Sequence, residues 1–222
     1  MEVKPRSPQE TYGPALDKAR RELAALKPAE AAARAGASYE ARDEKSGSFL
    51  LPFLGRLHRV HWPQGIVYRD DRGEEADIAT TILLLHYLLT ADGTAMASKW
   101  IAFRSLPGGL GYDAAFQGRA NLRLARTFGH DLAAFEAAAR SLGGERLAFG
   151  DAAFAFRVFP RLWMAVVLYL ADEEFTASAN VLFDGSAGHY LPTEDLAVLG
   201  GMLAGILCRA GRAHQTPSAA PT

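Results

Sequence analysis

Apolar residues in the N-terminal third of the chain recur first at helical spacing and then at strand spacing. Pro14 suits the first turn of a helix, and the apolar positions from Leu16 to Leu26 follow it at intervals of three or four residues. A second, short helix is predicted over 28–36, which begins with a proline and ends with a glycine suited to its C-cap. Residues 49–68 combine apolar positions with proline and glycine turns, which predicts strands.

The centre of the chain contains a segment, Ile78–Leu89, that is apolar on nearly every side. Because a helix of this kind is usually buried in the middle of a fold, we predict a central helix over 77–89. A short strand at 100–103 and two more helices, over 112–124 and 131–142, are expected to follow it.

The C-terminal part predicts an antiparallel meander and then a long helix. Alternating apolar residues precede two apolar runs, Leu162–Leu170 and Ala179–Phe183, which supply successive strands. Thr193 can N-cap a final helix whose inner face extends to Ile206. These patterns indicate an α+β fold, in which a mostly antiparallel sheet that includes 152–184 is packed with the central apolar helix and with peripheral helices.

The same patterns favour one domain over 14–209, because no linker clearly separates two halves of the chain. Residues 1–13 are polar and contain prolines, and residues 210–222 are rich in alanine, proline, serine and threonine. We therefore predict a flexible arm and a flexible tail at the two ends.

Composition narrows the function classes. The chain has 222 residues, of which 49% are hydrophobic and 22% are charged, and 25 acids balance 24 bases to a net charge of -1. This balance argues against a broad surface for nucleic acid or for an anionic membrane. Cys208 stands alone, so four-cysteine metal sites within one chain are excluded. The N-terminus lacks the apolar core of a signal peptide, and the apolar runs are shorter than the roughly 20 residues that span a bilayer, so we expect a cytoplasmic protein without a membrane segment.

Carboxylates follow both apolar runs of the meander. Asp172, Glu173 and Glu174 come after the first run, and Asp184 ends the second. Clustered carboxylates suit hard cations such as Mg²⁺, or acid–base chemistry, although a solvated turn and an Asx turn at Asp184 explain them equally well. If the two runs pair as a hairpin, the two acidic groups lie at opposite ends of it, so we assign no metal ligands.

Two more acids and several arginines complete the set of candidate ligand-binding residues. Glu194 and Asp195 fall in the first turn of the last helix, where the helix dipole alone accounts for acids. Arg161 begins a buried strand, where it can bind a ligand or form a structural salt bridge with a neighbouring carboxylate.

A ridge of three arginines, Arg119, Arg123 and Arg126, follows the glycine-rich loop 107–111. Arginine binds phosphate and carboxylate groups bidentately, so the ridge can receive an anion, and a solvent-facing helix side is the alternative. The loop lacks the Gly-Lys-Ser/Thr element of a P-loop, and no nucleophile elbow or His-Glu-x-x-His motif occurs in the chain. Catalytic residues and cofactors are therefore left unassigned.

Several strings of residues together resemble the domain-of-unknown-function family 3786, over about 36–207. They are Leu84-Leu85-His86-Tyr87-Leu88, Leu106-Pro107-Gly108-Gly109, Gly150-Asp151, Phe159-Pro160-Arg161, Asp172-Glu173-Glu174-Phe175, Leu182-Phe183-Asp184 and Tyr190-Leu191-Pro192-Thr193-Glu194-Asp195. The resemblance implies a prokaryotic protein of a family with no assigned activity. Some relatives carry a cysteine-rich iron–sulfur segment and belong to anaerobes, but this chain departs from them, so no cluster is expected.

Two functional hypotheses follow, and neither decides whether the protein is an enzyme. The first is a small-molecule or anion-binding domain whose cleft combines the acids with Arg161 and Arg119, and it predicts a concave pocket of mixed charge. The second is a non-enzymatic accessory module that docks on a redox or one-carbon metabolism enzyme, and it predicts an exposed apolar patch.

Overall fold

The structure is a computed structural model that describes residues 8–215, with side chains described for 12–213. Contacts divide the chain into two compact units. The N-terminal unit contains the described residues up to 95 together with 159–161 and 189–191, and the C-terminal unit contains 96–158, 162–188 and the described residues from 192 onward. Each unit has one five-stranded antiparallel sheet in the described part of the chain, which confirms the α+β class.

The N-terminal unit places helices beside a sheet with strand order β1-β2-β3-β4-β5. The alternation in β2 is the clearest sequence signal, since Phe49, Leu51 and Phe53 are buried and their neighbours are less so. In chain order the elements are α1 (Pro8–Ala24), α2 (Pro28–Ala35), β1 (Ser38–Asp43), β2 (Ser46–Phe53), β3 (Arg56–Trp62), β4 (Ile66–Arg69), β5 (Glu74–Glu75) and α3 (Ile78–Thr90).

The predicted apolar helix, α3, is the core of this unit. The Asp77 carboxylate caps its N-terminus by accepting from the Thr80 N–H at 3.0 Å, and the helix packs against α1 and α2. Tyr87 is fully buried, and its ring stacks on Phe159 with centroids 4.1 Å apart. The Tyr87 hydroxyl donates to the Ala35 carbonyl at 2.8 Å, so the polar end of this side chain is satisfied inside the core.

The C-terminal unit has a sheet with strand order β6-β10-β9-β8-β7, flanked by helices. Helix α5 packs on β9 and β10, and α7 packs against α4, α5 and α6. The predicted meander of three consecutive strands is present as β8 to β10. The elements are β6 (Trp100–Ala102), α4 (Asp113–Arg119), α5 (Asn121–Phe128), α6 (Leu132–Ser141), β7 (Glu145–Leu147), β8 (Ala152–Phe159), β9 (Leu162–Tyr169), β10 (Ser178–Asp184) and α7 (Thr193–Gln215), with short 3-10 turns at Phe103–Ser105, Gly109–Tyr112 and Ala187–His189.

Helix α3 is grouped with the β1–β5 sheet in the N-terminal unit, whereas most of β8 to β10 lies in the C-terminal unit. The packing of 77–89 on the sheet of 152–184 therefore stays a prediction. Two other elements differ from the sequence-based expectation. The helix predicted over 112–124 is two helices, which meet at Ala120 with φ -115° and ψ -68°. Thr193 is already helical, and its hydroxyl donates to the Pro107 carbonyl at 2.7 Å.

The described residues extend helical structure into the predicted arm and tail. Helix α1 begins at Pro8 and α7 continues to Gln215, so 8–13 and 210–215 are helical, and the flexibility of the two ends stays a prediction. The remaining parts of the predicted arm and tail, 1–7 and 216–222, lie outside the described residues. The single domain over 14–209 stays a prediction, since the division into contact units does not test whether the units fold independently.

Helix α7 is longer and more apolar than the sequence pattern suggested. Its segment Thr193–Ala213, of 21 residues, reaches the length and composition of a membrane-crossing helix. Within this segment, 56% of the most apolar window is buried inside the structure. Contacts with α5 and α6 account for this burial, which is common for a core helix of this length and composition.

Candidate anion-binding site

A groove on the C-terminal unit lies between the α4–α5 pair and α7. Helix α4 ends before Ala120, and the buried Asn121 then anchors the start of α5 to the sheet. The Asn121 amide oxygen accepts from the Val181 N–H of β10 at 3.0 Å, and its amide nitrogen donates to the Gln117 side chain at 2.7 Å. The buried Asn121 side chain is therefore satisfied, and it sets the position of the α5 face that carries the arginine ridge.

The groove is open because small residues form much of its lining. A side-chain carbon built on Gly118 or Gly201 would meet no atom within 4 Å. The Thr127 hydroxyl donates to the Arg123 carbonyl at 2.9 Å, so it is committed to the α5 backbone. The cavity has a volume of about 580 Å³ and is lined by Gly118, Arg119, Arg123, Arg126, Thr127 and Gly201.

Three exposed arginine side chains line this groove, and a fourth, Arg209, lies close to one of them. Arg119 lies over the Tyr112 ring, with its guanidinium carbon 5.3 Å from the ring centroid. Arg209 comes from α7 and approaches the ridge from the opposite side. The Nη1 atoms of Arg123 and Arg209 lie 3.1 Å and 3.5 Å from the same point, the position of a side-chain carbon built on Gly205. We call Arg119, Arg123, Arg126 and Arg209 the groove arginines.

The groove arginines have no carboxylate partner among the described residues. Some arginines elsewhere in the chain do have such partners: Arg59 pairs with Glu40 at 2.8 Å and with Asp70 at 3.0 Å, and Arg140 pairs with Glu136 at 2.9 Å. Positive charges that share a groove without a counter-charge repel one another, and an anion that enters the groove removes this repulsion. The guanidinium fork suits the oxygens of phosphate or carboxylate.

The first acidic cluster forms a turn rather than part of this groove. The Asp172 carboxylate oxygen Oδ1 accepts from the N–H groups of Glu174 at 2.9 Å and Phe175 at 2.6 Å. The Asp172 N–H donates to the Phe175 carbonyl at 3.0 Å, which closes the turn. Glu173 and Glu174 are exposed. This arrangement matches the solvated-turn interpretation of the acidic cluster.

Asp184 lies at the far end of the same hairpin. Ser178 pairs with Tyr169 near the acidic turn, whereas Asp184 pairs with Trp100 six residues further along β10. At about 3.4 Å per residue, this places the two acidic groups roughly 20 Å apart. Asp172 and Asp184 are therefore far apart. This separation is the one that hairpin geometry predicted from the sequence.

The Asp184 carboxylate is buried and organises the backbone around it. Its Oδ1 accepts from the Ala97 N–H at 2.8 Å, the Ser186 N–H at 2.9 Å and the Ser186 hydroxyl at 2.6 Å. Burial alone raises the pKa of Asp184, but the hydrogen bonds from Ser186 and from the Ala97 and Ser98 N–H groups outweigh it and hold the pKa below its ordinary value. Asp184 therefore fastens the segment before β6 to the end of β10, as an Asx-type residue.

The remaining candidates are also dispersed. Glu194 and Asp195 occupy the first turn of α7 and do not line the groove. Arg161 belongs to the N-terminal unit, where its Nη2 donates to the Ala33 carbonyl in the last turn of α2 at 3.4 Å. Of the candidates assigned above, the groove contains Arg119, together with the ridge arginines Arg123 and Arg126.

Comparison with known proteins agrees with the motifs. The family described as Domain of unknown function (DUF3786) matches residues 27–205. The chain belongs to the DUF3786 family. No curated protein and no solved structure matches it. The predicted resemblance is therefore confirmed, and the function of this DUF3786 chain has to be argued from its own residues.

A second polar cluster of this DUF3786 chain lies in the N-terminal unit. The His189 ring nitrogen Nδ1 is 2.7 Å from the Asp92 carboxylate, and the Thr94 N–H donates to the same carboxylate at 2.8 Å. Hydrogen bonds from the Thr94 hydroxyl and N–H, and then from His189, lower the pKa of Asp92 to about 2. The Asp92 and His189 side chains are both about half exposed, and the cluster ties residue 189 to 92–94. No group of three or more metal-ligating side chains occurs among the side chains described, 12–213.

Sequence reasoning did not identify the α7 side of the groove. Gly201, Gly205 and Arg209 follow one another at intervals of four residues, so they share one face of the helix. This spacing was the available signal, since two glycines followed by an arginine on one helix face make a shallow surface with a charged end.

Proposed function

We propose that this DUF3786 chain binds a small anionic molecule in the groove between α4–α5 and α7. The observation that carries the proposal is the set of groove arginines: three of them line one cavity, Arg209 lies beside Arg123, and none has a carboxylate partner among the described residues. A volume of about 580 Å³ suits a small-molecule ligand, since such pockets typically measure about 300–1,000 Å³.

The proposal changes the predicted composition of the site. The predicted cleft of mixed charge is replaced by a basic groove, because the acids lie elsewhere. Residues 172–174 form a turn, Asp184 is buried among its hydrogen-bond donors, and 194–195 lie in the first turn of α7. The ligand is therefore an anion rather than a divalent cation.

Inorganic phosphate is the simplest probe of the groove. We expect it to raise the melting temperature of the full chain at constant ionic strength. A ligand at 100 times its Kd stabilises a protein by about 2.7 kcal/mol. For a chain of this length this corresponds to roughly 5–10 °C. The readout is thermal unfolding with increasing phosphate, with chloride in place of phosphate as the reference.

Variants identify where the phosphate binds. Arg123→Gln should remove the phosphate-induced shift, because it takes one guanidinium away from the groove. Arg140→Gln is the matched control, since Arg140 is an exposed helical arginine outside the groove that pairs with Glu136. Equal phosphate shifts in wild type and Arg123→Gln, or the absence of any shift in the wild type, would refute the proposal.

Exposed aromatic side chains favour partner docking as a second candidate function. Phe175 is 69% exposed and follows the acidic residues 172–174, and Tyr169 is 43% exposed at the end of β9. A side-chain carbon built on Gly150 would lie 3.3 Å from the Tyr169 ring, so the loop that carries the exposed Phe149 is adjacent. Charge complementarity indicates a partner with a basic, apolar surface.

Two changes to this surface test docking. Phe175→Ser removes the aromatic side chain, and Glu173→Lys reverses a charge. Both variants should lose a stoichiometric partner that wild type and Leu110→Ser, a matched change at an exposed apolar side chain elsewhere, retain on purification from the native host. A wild-type chain that purifies alone, or a partner retained by both variants, would remove this candidate.

A further inference from the structure

We infer that the arginine groove selects a dianionic phosphate group, which free orthophosphate and organic phosphomonoesters share, over monoanions such as phosphodiesters and carboxylates. This inference rests on the proposed function and specifies the ligand class of the same groove. It follows from the net charge of the groove and from the different helices that supply its arginines.

The groove carries more positive charge than a monoanion can balance. Arg119, Arg123 and Arg126 all line the cavity, and the described lining includes no carboxylate. Arginine stays protonated at physiological pH, so these charges are permanent. A monoanion leaves most of this charge uncompensated, whereas a second ligand charge is attracted by every arginine of the lining. The charge of the lining therefore favours a dianion.

Arg209 adds a fourth positive charge beside the lining. The Nη1 atoms of Arg123 and Arg209 lie 3.1 Å and 3.5 Å from the same point, the position of a side-chain carbon built on the buried Gly205. Two atoms this close to one point are nearer to each other than the screening length of about 8 Å at physiological salt. An anion bound to Arg123 therefore also experiences the charge of Arg209.

The groove arginines come from three helices, which favours a tetrahedral anion. Arg119 ends α4, Arg123 and Arg126 lie on α5, and Arg209 lies on α7. A carboxylate presents its two oxygens in one plane. A phosphomonoester presents three strong acceptor oxygens around the phosphorus, so it can accept from guanidinium groups on different sides. A phosphodiester has fewer such oxygens and a single negative charge.

The hydrogen-bonding groups of the lining also favour a fully deprotonated phosphate. Guanidinium groups donate and cannot accept, and the Thr127 hydroxyl hydrogen is used by the Arg123 carbonyl. The described lining includes no carboxylate to accept a proton from the ligand. A dianionic phosphate, whose terminal oxygens only accept, matches this set of donors.

Titration calorimetry of the full chain with four anions, at pH 8 and constant ionic strength, tests the inference. Methyl phosphate and dimethyl phosphate share a tetrahedral phosphorus, but the monoester is a dianion at this pH and the diester is a monoanion. We expect methyl phosphate and orthophosphate to bind at least about tenfold more tightly than dimethyl phosphate and acetate. Tighter binding of methyl phosphate than of orthophosphate would identify an ester as the ligand, and the reverse would identify free phosphate; both results support the dianion class.

Variants show whether the preference arises in the groove. Arg209→Gln should reduce the ratio of methyl phosphate to dimethyl phosphate affinity to about threefold or less, because it removes one positive charge. Arg209→Lys should restore most of the ratio, because it keeps that charge. Arg140→Gln, which removes an exposed helical arginine outside the groove, should leave the ratio unchanged.

The outcomes separate this inference from the proposed function. If methyl phosphate and dimethyl phosphate bind with similar affinity and Arg123→Gln abolishes both, the groove binds anions but the dianion class is wrong. If Arg140→Gln lowers the ratio as much as Arg209→Gln does, the preference reflects overall charge and the inference is also wrong. If none of the four anions binds the wild type, the proposed function fails as well. Thermal unfolding without ligand checks that each variant is folded.

Discussion

Two adjacent glycines in α7 should respond in opposite directions to the same substitution. Gly200 faces the core of the C-terminal unit, where a side-chain carbon would stand 2.6 Å and 2.9 Å from atoms of the Phe116 ring. Gly201 faces the groove, where the same carbon would meet nothing within 4 Å. The pair therefore tests whether the groove is open and whether the opposite face of α7 is packed.

The magnitudes follow from helix propensity and packing. Alanine in place of glycine inside a helix stabilises by roughly 0.5–1 kcal/mol when its methyl group fits. Gly201→Ala should therefore raise the melting temperature by about 1–4 °C for a chain of this size. At Gly200 the overpacking costs about 1–3 kcal/mol and outweighs the propensity gain, so Gly200→Ala should lower the melting temperature.

Thermal unfolding of the two variants beside wild type, followed by circular dichroism, measures both effects under identical conditions. Because the substitutions are chemically identical and adjacent, differences in unfolded-state entropy largely cancel between them. A stabilising effect at Gly200, or a loss of stability at Gly201, would show that the two faces of α7 are assigned incorrectly and would remove the groove.

Three further predictions concern the core, the buried acid and the acidic limit of stability. Phe159→Ala should destabilise by about 3–5 kcal/mol in urea unfolding, because the ring is buried and stacks on Tyr87; a loss below about 1 kcal/mol would contradict this packing. Asp184→Ala should lower the free energy of unfolding by at least about 1–3 kcal/mol in the same assay, since it leaves buried N–H donors unpaired. An unchanged urea midpoint would show that water replaces the carboxylate. The Asp92 carboxyl should titrate near pH 2 when followed by NMR. Because this pKa lies below the ordinary value of 3.8, the stability that Asp92 contributes is present above pH 3.8 and disappears as the pH falls through about 2. A titration midpoint at or above 3.8 would disprove the hydrogen bonds between Asp92 and Thr94.

Elements with a strong apolar pattern were predictable from the sequence alone. Helix α3 was expected over 77–89 and is present as Ile78–Thr90, since its residues are apolar on nearly every side and therefore have to be buried. Strands β9 and β10 were expected for the same reason. Short, polar elements such as β1 and β7 were missed, because they contain little apolar signal and depend on pairing with a neighbouring strand.

Contacts between distant residues limited the prediction of the site. Phe116, Ala120 and Leu124 keep a regular helical spacing across the break, so the sequence does not reveal that α4 ends there. The start of α5 is anchored by a hydrogen bond between Asn121 and Val181, which are 60 residues apart. The position of the arginine ridge therefore depends on tertiary structure, and its basic residue types were the only part visible beforehand.

The separation of the acidic residues also depends on contacts between distant parts of the chain. Consecutive carboxylates after a strand suit both a ligand site and a turn, and the pairing register of the next strand decides between them. Here the register separates Asp172 from Asp184 along the hairpin. Hairpin geometry predicts this separation from the sequence alone. The role of Arg209 is not predictable in this way, because its contact with the ridge depends on how α7 packs on α5.

A crystal structure of the full chain grown with tungstate tests the central claim most directly, because tungstate resembles phosphate and its metal scatters anomalously. The account predicts an anomalous peak above Gly205, with oxygens within hydrogen-bond distance of Arg123 and Arg209. Tungstate bound only at other surfaces, with the groove left empty at saturating concentration, would contradict it.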